Sequence, residues 1–115
     1  MKETGRFILE TIKEVDQFIE EFKNRTGNPK EIENFFLNGC CYWFAKILDE
    51  RFKWQGSIVY NIQDNHFLYK IADCYFDIRG LIKDQNDENI VNWDDYVYTD
   101  STHYNRILKD CVYFI

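Results

Sequence analysis

Three residues of different chemistry stand in the order that thiol-based acyl transfer requires. A thiol comes first, in Asn38-Gly39-Cys40-Cys41-Tyr42-Trp43-Phe44-Ala45. An imidazole follows in Asn65-His66-Phe67, and a carboxylate in Tyr75-Phe76-Asp77-Ile78-Arg79-Gly80. Each sits at the edge of an apolar segment. A cysteine at a helix N-terminus meets main-chain N–H groups and the positive end of the helix dipole, and both favour the thiolate. A nearby imidazolium favours it further, and the same N–H groups can hold an oxyanion. In such a site His66 takes the thiol proton and Asp77 orients the imidazole.

Helical phase separates the two adjacent cysteines. Cys41 shares an apolar stripe with Phe44, Ala45, Leu48 and Phe52, whereas Cys40 lies about 100° round the helix. Cys41 is therefore the expected nucleophile, and Cys40 a pocket-lining or packing residue. Trp43, Trp54 and Trp93 are expected to line an open cleft. Cys74 and Cys111 read as small core residues and His103 as a surface helix residue. A zinc site built from Cys40, Cys41, His66 and Cys74 lacks paired Cys-x-x-Cys knuckles, so neither metal nor cofactor is expected.

The elements that must bring these groups together follow from periodicity. Ile8, Ile12, Val15, Phe18, Ile19 and Phe22 recur at spacings of three and four, which predicts an amphipathic helix over about 6–25. In Thr26-Gly27-Asn28-Pro29, Gly27 suits a left-handed stop, Asn28 an N-cap and Pro29 the first helical position. A second helix is predicted over about 29–36, with Glu31 capping back, and a third over about 41–52. The β-branched and aromatic runs predict strands over about 57–62, 66–71 and 74–78. Residues 84–89 read as a polar loop, and 93–97 as a short helix or an edge segment. A closing helix is predicted over about 102–112. Helices, then a small antiparallel sheet, then a helix define an α+β class in one domain, residues 1–115.

The two-residue connection Ala72-Asp73 sets a register for the last two strands. Ile71 then pairs with Cys74, Tyr69 with Phe76, Leu68 with Asp77 and His66 with Arg79. In that register His66 and Asp77 are diagonal neighbours on one face, about 7–8 Å apart at Cα, a gap that an imidazole and a carboxylate can bridge.

Composition narrows the function classes. The 115 residues are 45% hydrophobic and 18% aromatic, enough to pack a core, and 30% charged. With a net charge of −6 and scattered Lys and Arg, the chain offers no cationic stripe for phosphates, so no nucleic-acid partner is expected. No secretory signal or apolar run of the ~20 residues needed for a membrane span is visible, and four cysteines without a secreted-type framework read as reduced. A cytoplasmic protein is the expectation, in the host cytoplasm if phage-encoded.

The run Cys41-Tyr42-Trp43-Phe44-Ala45 resembles the nucleophile helix of papain-type enzymes. The series Gly39-Cys40-Cys41, then His66, then Asp77 resembles the Gly-x-Cys, His-strand, Asp-strand pattern of transglutaminase-like domains. The motifs are closer still to small bacterial and phage proteins reading roughly Asn-Gly-x-Cys-Tyr-x-Phe-Ala, His-Phe and Tyr-Asp-Ile-x-Gly. The resemblance covers roughly residues 38–80. It implies a papain-like or transglutaminase-like fold with Cys41 as nucleophile, His66 as base and Asp77 as orienter. Papain-type enzymes place a Gln before the nucleophile to complete the oxyanion hole. This chain has none there, which leaves Asn34 or Asn38 as substitutes. The implied function is a cysteine hydrolase or acyltransferase acting on a protein or peptide substrate through a thioester. The alternative is a non-catalytic interaction protein on an inherited cysteine-enzyme fold, such as a phage-encoded inhibitor of a host defence protein.

Overall fold

Local chemistry accounts for where the helices start and stop. Gly27 takes φ +81°, the left-handed stop that a residue without Cβ tolerates. Asn28 then caps the next helix, accepting the Glu31 N–H at 3.2 Å and donating its side-chain amide to Glu31 Oε2 at 3.0 Å. A computed structural model of the chain describes residues 2–25, 27–38, 40–53, 55–82 and 87–96, with main chain only at 2–8, 87, 95 and 96. Its helices are α1 (Lys2–Arg25), α2 (Pro29–Leu37) and α3 (Cys41–Arg51). Its strands are β1 (Ser57–Asn61), β2 (His66–Ile71), β3 (Cys74–Asp77), β4 (Gly80–Ile82) and β5 (Ile90–Asn92). A 3-10 turn at Asp87–Asn89 precedes β5, and the one-turn helix α4 (Trp93–Tyr96) follows it. The class is α+β, with an antiparallel sheet in the order β4-β3-β2-β1-β5. Among the described residues no helix is long and apolar enough to cross a membrane.

The apolar stripe of α3 packs on the middle of the sheet. Phe44, Leu48 and Phe52 meet Tyr69, Ile71 and Phe76, and Val15, Ile19 and Phe36 complete that core from α1 and α2. Buried Tyr69 donates its hydroxyl to the Phe52 carbonyl at 3.1 Å, so the largest polar side chain in this core is satisfied. One turn earlier on α3, Cys41 and Ala45 pack with Tyr60, Phe67 and Trp93. Side chains alternate along the strands. Val59, Leu68 and Tyr75 are therefore buried on the other face, beside Ile82 and Ile90.

The β2–β3 hairpin has the expected register, with Ile71 opposite Cys74 and Tyr69 opposite Phe76, and Ala72 makes the turn at φ +53°. The expected Leu68–Asp77 and His66–Arg79 pairs are not made. β3 stops at Asp77, the chain reverses through Ile78 and Arg79, and Asp77 pairs with Gly80 at φ +102°. Ile78, expected in the strand, is instead a fully buried turn residue. β1 ends at Asn61 and α3 at Arg51, each one residue short of expectation, and α1 begins four residues earlier, at Lys2. β4 and β5 were not expected. Each has three residues, too few for a local pattern, and each exists through its pairing to β3 or β1. The predicted helix over 102–112, with His103 and Cys111, lies outside the described residues, as do Trp54 and Gly39.

Gly56, just before β1, is a packing constraint. A Cβ there would meet the main-chain carbonyl of Lys70, Ile71 Cγ1 at 2.7 Å and Tyr69 Cε2 at 2.9 Å. Gly56→Ala should therefore destabilise the fold by about 1–3 kcal/mol. Gly27→Ala, whose Cβ meets nothing within 4 Å, should cost only the left-handed strain of about 1 kcal/mol. Urea unfolding of the two variants beside the parent checks the ranking.

Candidate active site

Cys41 occupies the first position of α3, and Cys40 is its N-cap. The cap supplies no side-chain hydrogen bond and the first turn holds no acidic residue, so nothing from those side chains offsets the positive end of the dipole. Trp43 and Phe44 N–H both point to the Cys40 carbonyl, at 3.1 and 3.4 Å, which tightens the turn beneath the thiol. Cys41 is 5% exposed, against the aromatic side chains of Tyr60, Phe67 and Trp93.

His66 opens β2, held there by the turn before it. Asn61 accepts the Asp64 N–H at 3.0 Å and donates to Asp64 Oδ2 at 3.2 Å. Asn65, at φ +50°, accepts a hydrogen bond from the Tyr60 hydroxyl. The last β1–β2 pair is Asn61 with His66, so the imidazole sits where the hairpin loop ends. The β2–β3 pairing extends only as far as Tyr69–Phe76, which leaves His66 beyond it, at the end of the strand nearest Asp77.

The three groups meet. His66 Nε2 lies 2.9 Å from Asp77 Oδ2, and the Cys41 thiol is in hydrogen-bond contact with the same imidazole. With Nε2 taken by the carboxylate, Nδ1 is the ring nitrogen left for the thiol. Burial of the imidazole acts to lower its pKa. The hydrogen bonds and charges of Asp77 and Cys41 outweigh that and push it up to about 9. Asp77 is 4% exposed, and burial acts to raise its pKa. Hydrogen bonds from His66 and Arg79 instead hold its carboxyl below the ordinary carboxylate range. The resting arrangement is thus an imidazolium between two groups that favour its charge.

The other expected residues fall elsewhere. Cys40 is buried in the main core, where burial and the neighbouring Cys41 charge push its thiol up, so it is a packing residue. Asn38 donates its side-chain amide to the Asn34 carbonyl at 2.8 Å and closes α2, while the Asn34 side chain is exposed. Trp43 lies about 200° round the helix from Cys41, at roughly 100° per residue. It lines a separate groove of about 440 Å³ with Phe18, Ile47 and Arg51, so it is not part of the thiol's surroundings. Trp93 does reach the thiol's cluster. Cys74, half-buried at the opposite end of β3 from Asp77, does not join His66. Among the described residues no group of three His, Cys, Asp or Glu side chains is arranged to hold a metal. Sequence reading missed Arg79 as a partner of Asp77, although Asp-x-Arg-Gly at a strand end is a turn in which the carboxylate can bind the N–H two residues on.

Residues 12–110 match the phage YunG-like protein family. The chain belongs to this family. Cys41, His66, Asp77 and Arg79 all lie within the matched residues. No curated protein and no solved structure matches the chain.

The imidazole's titration gives a pH signature. In full-length Cys41→Ser protein, where thiol ionisation does not enter, the native state binds the His66 proton more tightly than the unfolded state. The stability this contributes is complete below about pH 6.5 and is lost as pH rises through the folded-state value, which lies below the parent's value of about 9 because part of that rise comes from Cys41. Unfolding free energy should fall across that window, by at most about 1.4 kcal/mol per pH unit for one linked proton. The slope should vanish when His66→Gln is added. Asp77 has the opposite sign: its contribution is complete above the ordinary carboxylate value and lost as pH falls below it. Denaturation at a series of pH values measures both limbs.

Proposed function

We propose that this phage-related chain is a small cysteine hydrolase or acyltransferase with a papain-like or transglutaminase-like arrangement. The observation that carries the reading is the continuous chain of contacts from Cys41 to His66 to Asp77, drawn from one helix and two strands. With the Cys41 proton already on His66, as in the resting imidazolium, the thiolate forms a C–S bond to a substrate carbonyl. Main-chain N–H groups at the start of α3 can stabilise the charge of the oxyanion. The imidazolium then gives its proton to the leaving nitrogen, the C–N bond breaks, and a thioester remains. Water or an amine, losing a proton to His66, attacks the thioester and releases the thiolate. Asp77 stays ionised throughout and holds the ring. Peptide, isopeptide and glutamine-amide carbonyls all satisfy this chemistry.

The burial of the thiol favours a second reading, in which the arrangement is inherited and the chain acts by binding. Cys41 is 5% exposed, while Phe35 and Leu9 are exposed at 50% and 62% on the helical side. The partner class in that reading is a host protein, such as one of a defence system.

An electrophilic acyl probe on the intact protein, followed by mass spectrometry, separates the two. The enzyme reading expects modification at Cys41 and release of the acyl group to water or an added amine. Cys41→Ala should abolish this, and His66→Gln should slow it by about 10²–10⁴-fold. Labelling no faster than free cysteine, together with a partner complex that survives Cys41→Ser without chemical change, would sink the enzyme reading.

A further inference from the structure

Arg79 has no part in the scheme above, yet it is the residue most firmly attached to Asp77. Its main-chain N–H donates to Oδ1 at 2.8 Å, its Nε to Oδ1 and Oδ2 at 3.2 and 3.1 Å, and its Nη2 to Oδ2 at 2.5 Å. We propose that Arg79 is a positioning residue for His66. Its guanidinium, seated on both Asp77 oxygens, fixes the carboxylate plane and draws part of the carboxylate's charge away from the imidazole that shares Oδ2. This rests on the reading that His66 serves Cys41.

The turn geometry imposes the clamp. Ile78 is fully buried and Gly80 pairs back to Asp77, so the residue between them is set beside the carboxylate two positions earlier. Asp77 is therefore oriented by its own strand end, independently of the hairpin that delivers His66. A carboxylate offers about four lone-pair directions, and a planar guanidinium, always charged, claims them in one plane. His66 approaches the remaining direction at Oδ2, and its ring plane is set by what Arg79 leaves open. Among the described residues the charged or titratable groups facing the imidazole are Cys41 from α3 and Asp77 from β3, while its β1 neighbour, Asn61, is neutral. Arg79 in turn feels Asp77 first and Glu33 of α2 more weakly.

Sharing the carboxylate moderates the base. With Arg79 removed, the undivided Asp77 charge acts on His66, which then holds its proton more tightly. Such a base releases the proton to a leaving group less readily. Arg79 is 47% exposed, so it brings this influence to the surface while Asp77 stays buried.

The test reads the imidazole and not turnover. In the full-length Cys41→Ser background, the His66 ring is titrated by ¹⁵N-resolved NMR. Arg79→Gln should raise the midpoint by about half to one unit, a threefold to tenfold gain in proton affinity. Arg79→Lys, which keeps the charge without the planar fork, should return at least half of that shift. An unchanged or lowered midpoint in Arg79→Gln overturns the proposal. If Arg79→Gln does not fold, the parent is titrated from low salt to 1 M. Screening of the half-exposed guanidinium should then raise the midpoint, and a flat response overturns the proposal. Absence of acyl transfer in the parent would sink the enzyme reading and leave this measurement standing, and an unmoved titration would do the reverse.

Discussion

A carboxylate at 4% exposure is the constraint on which the site depends. Removing an ion from water costs several kcal/mol unless it is paired and hydrogen-bonded, and Asp77 answers this with two cationic partners that share Oδ2. His66 comes from the neighbouring strand, Arg79 from the adjoining turn. The pairing works both ways. Asp77 keeps its charge because of its partners, and His66 is protonated above its ordinary range because Asp77 is charged beside it. Removal of either partner would leave a buried charge, which is costlier than the lost contact alone.

The rest of the architecture keeps α3 at a fixed height over the sheet. Ala45, one turn after Cys41, has only a methyl group, so Phe67 and Trp93 approach the helix closely. Leu48 and Phe52 anchor the following turns against Tyr69 and Ile71. The thiol's position is thus set by apolar packing along the helix, while the positions of the imidazole and carboxylate are set by turns at strand ends. These are two separate mechanical supports, and the contact between Cys41 and His66 is where they join.

What could be read from the amino-acid order was what depends on short-range chemistry. Gly27-Asn28-Pro29 encodes a stop and a start through φ preference, capping and the missing N–H. The two residues Ala72 and Asp73 encode a hairpin register because a tight turn leaves few pairings open. That register placed His66 and Asp77 on one face, and they bond there. Illegible features were those created by pairing across the fold. Gly80–Ile82 and Ile90–Asn92 have no strand signature until β3 and β1 lie beside them. Trp43 sits in an aromatic motif around the nucleophile; helical phase alone turns it away, and the packing of α1 adds the groove it lines.

The sheet order has a consequence for how the molecule assembles. β1, β2, β3 and β4 pair in sequence order through short turns, so every strand that carries a site residue is joined by contacts between near neighbours in the chain. Among the described strands the one distant pairing, β1 with β5, has to close a loop from Asn61 to Ile90. Loop closure delays such contacts in folding, whereas local hairpins form early. The imidazole, the carboxylate and the guanidinium therefore belong to the fast, local part of the fold, and β5 is a late edge added to a sheet that already holds its charges in place.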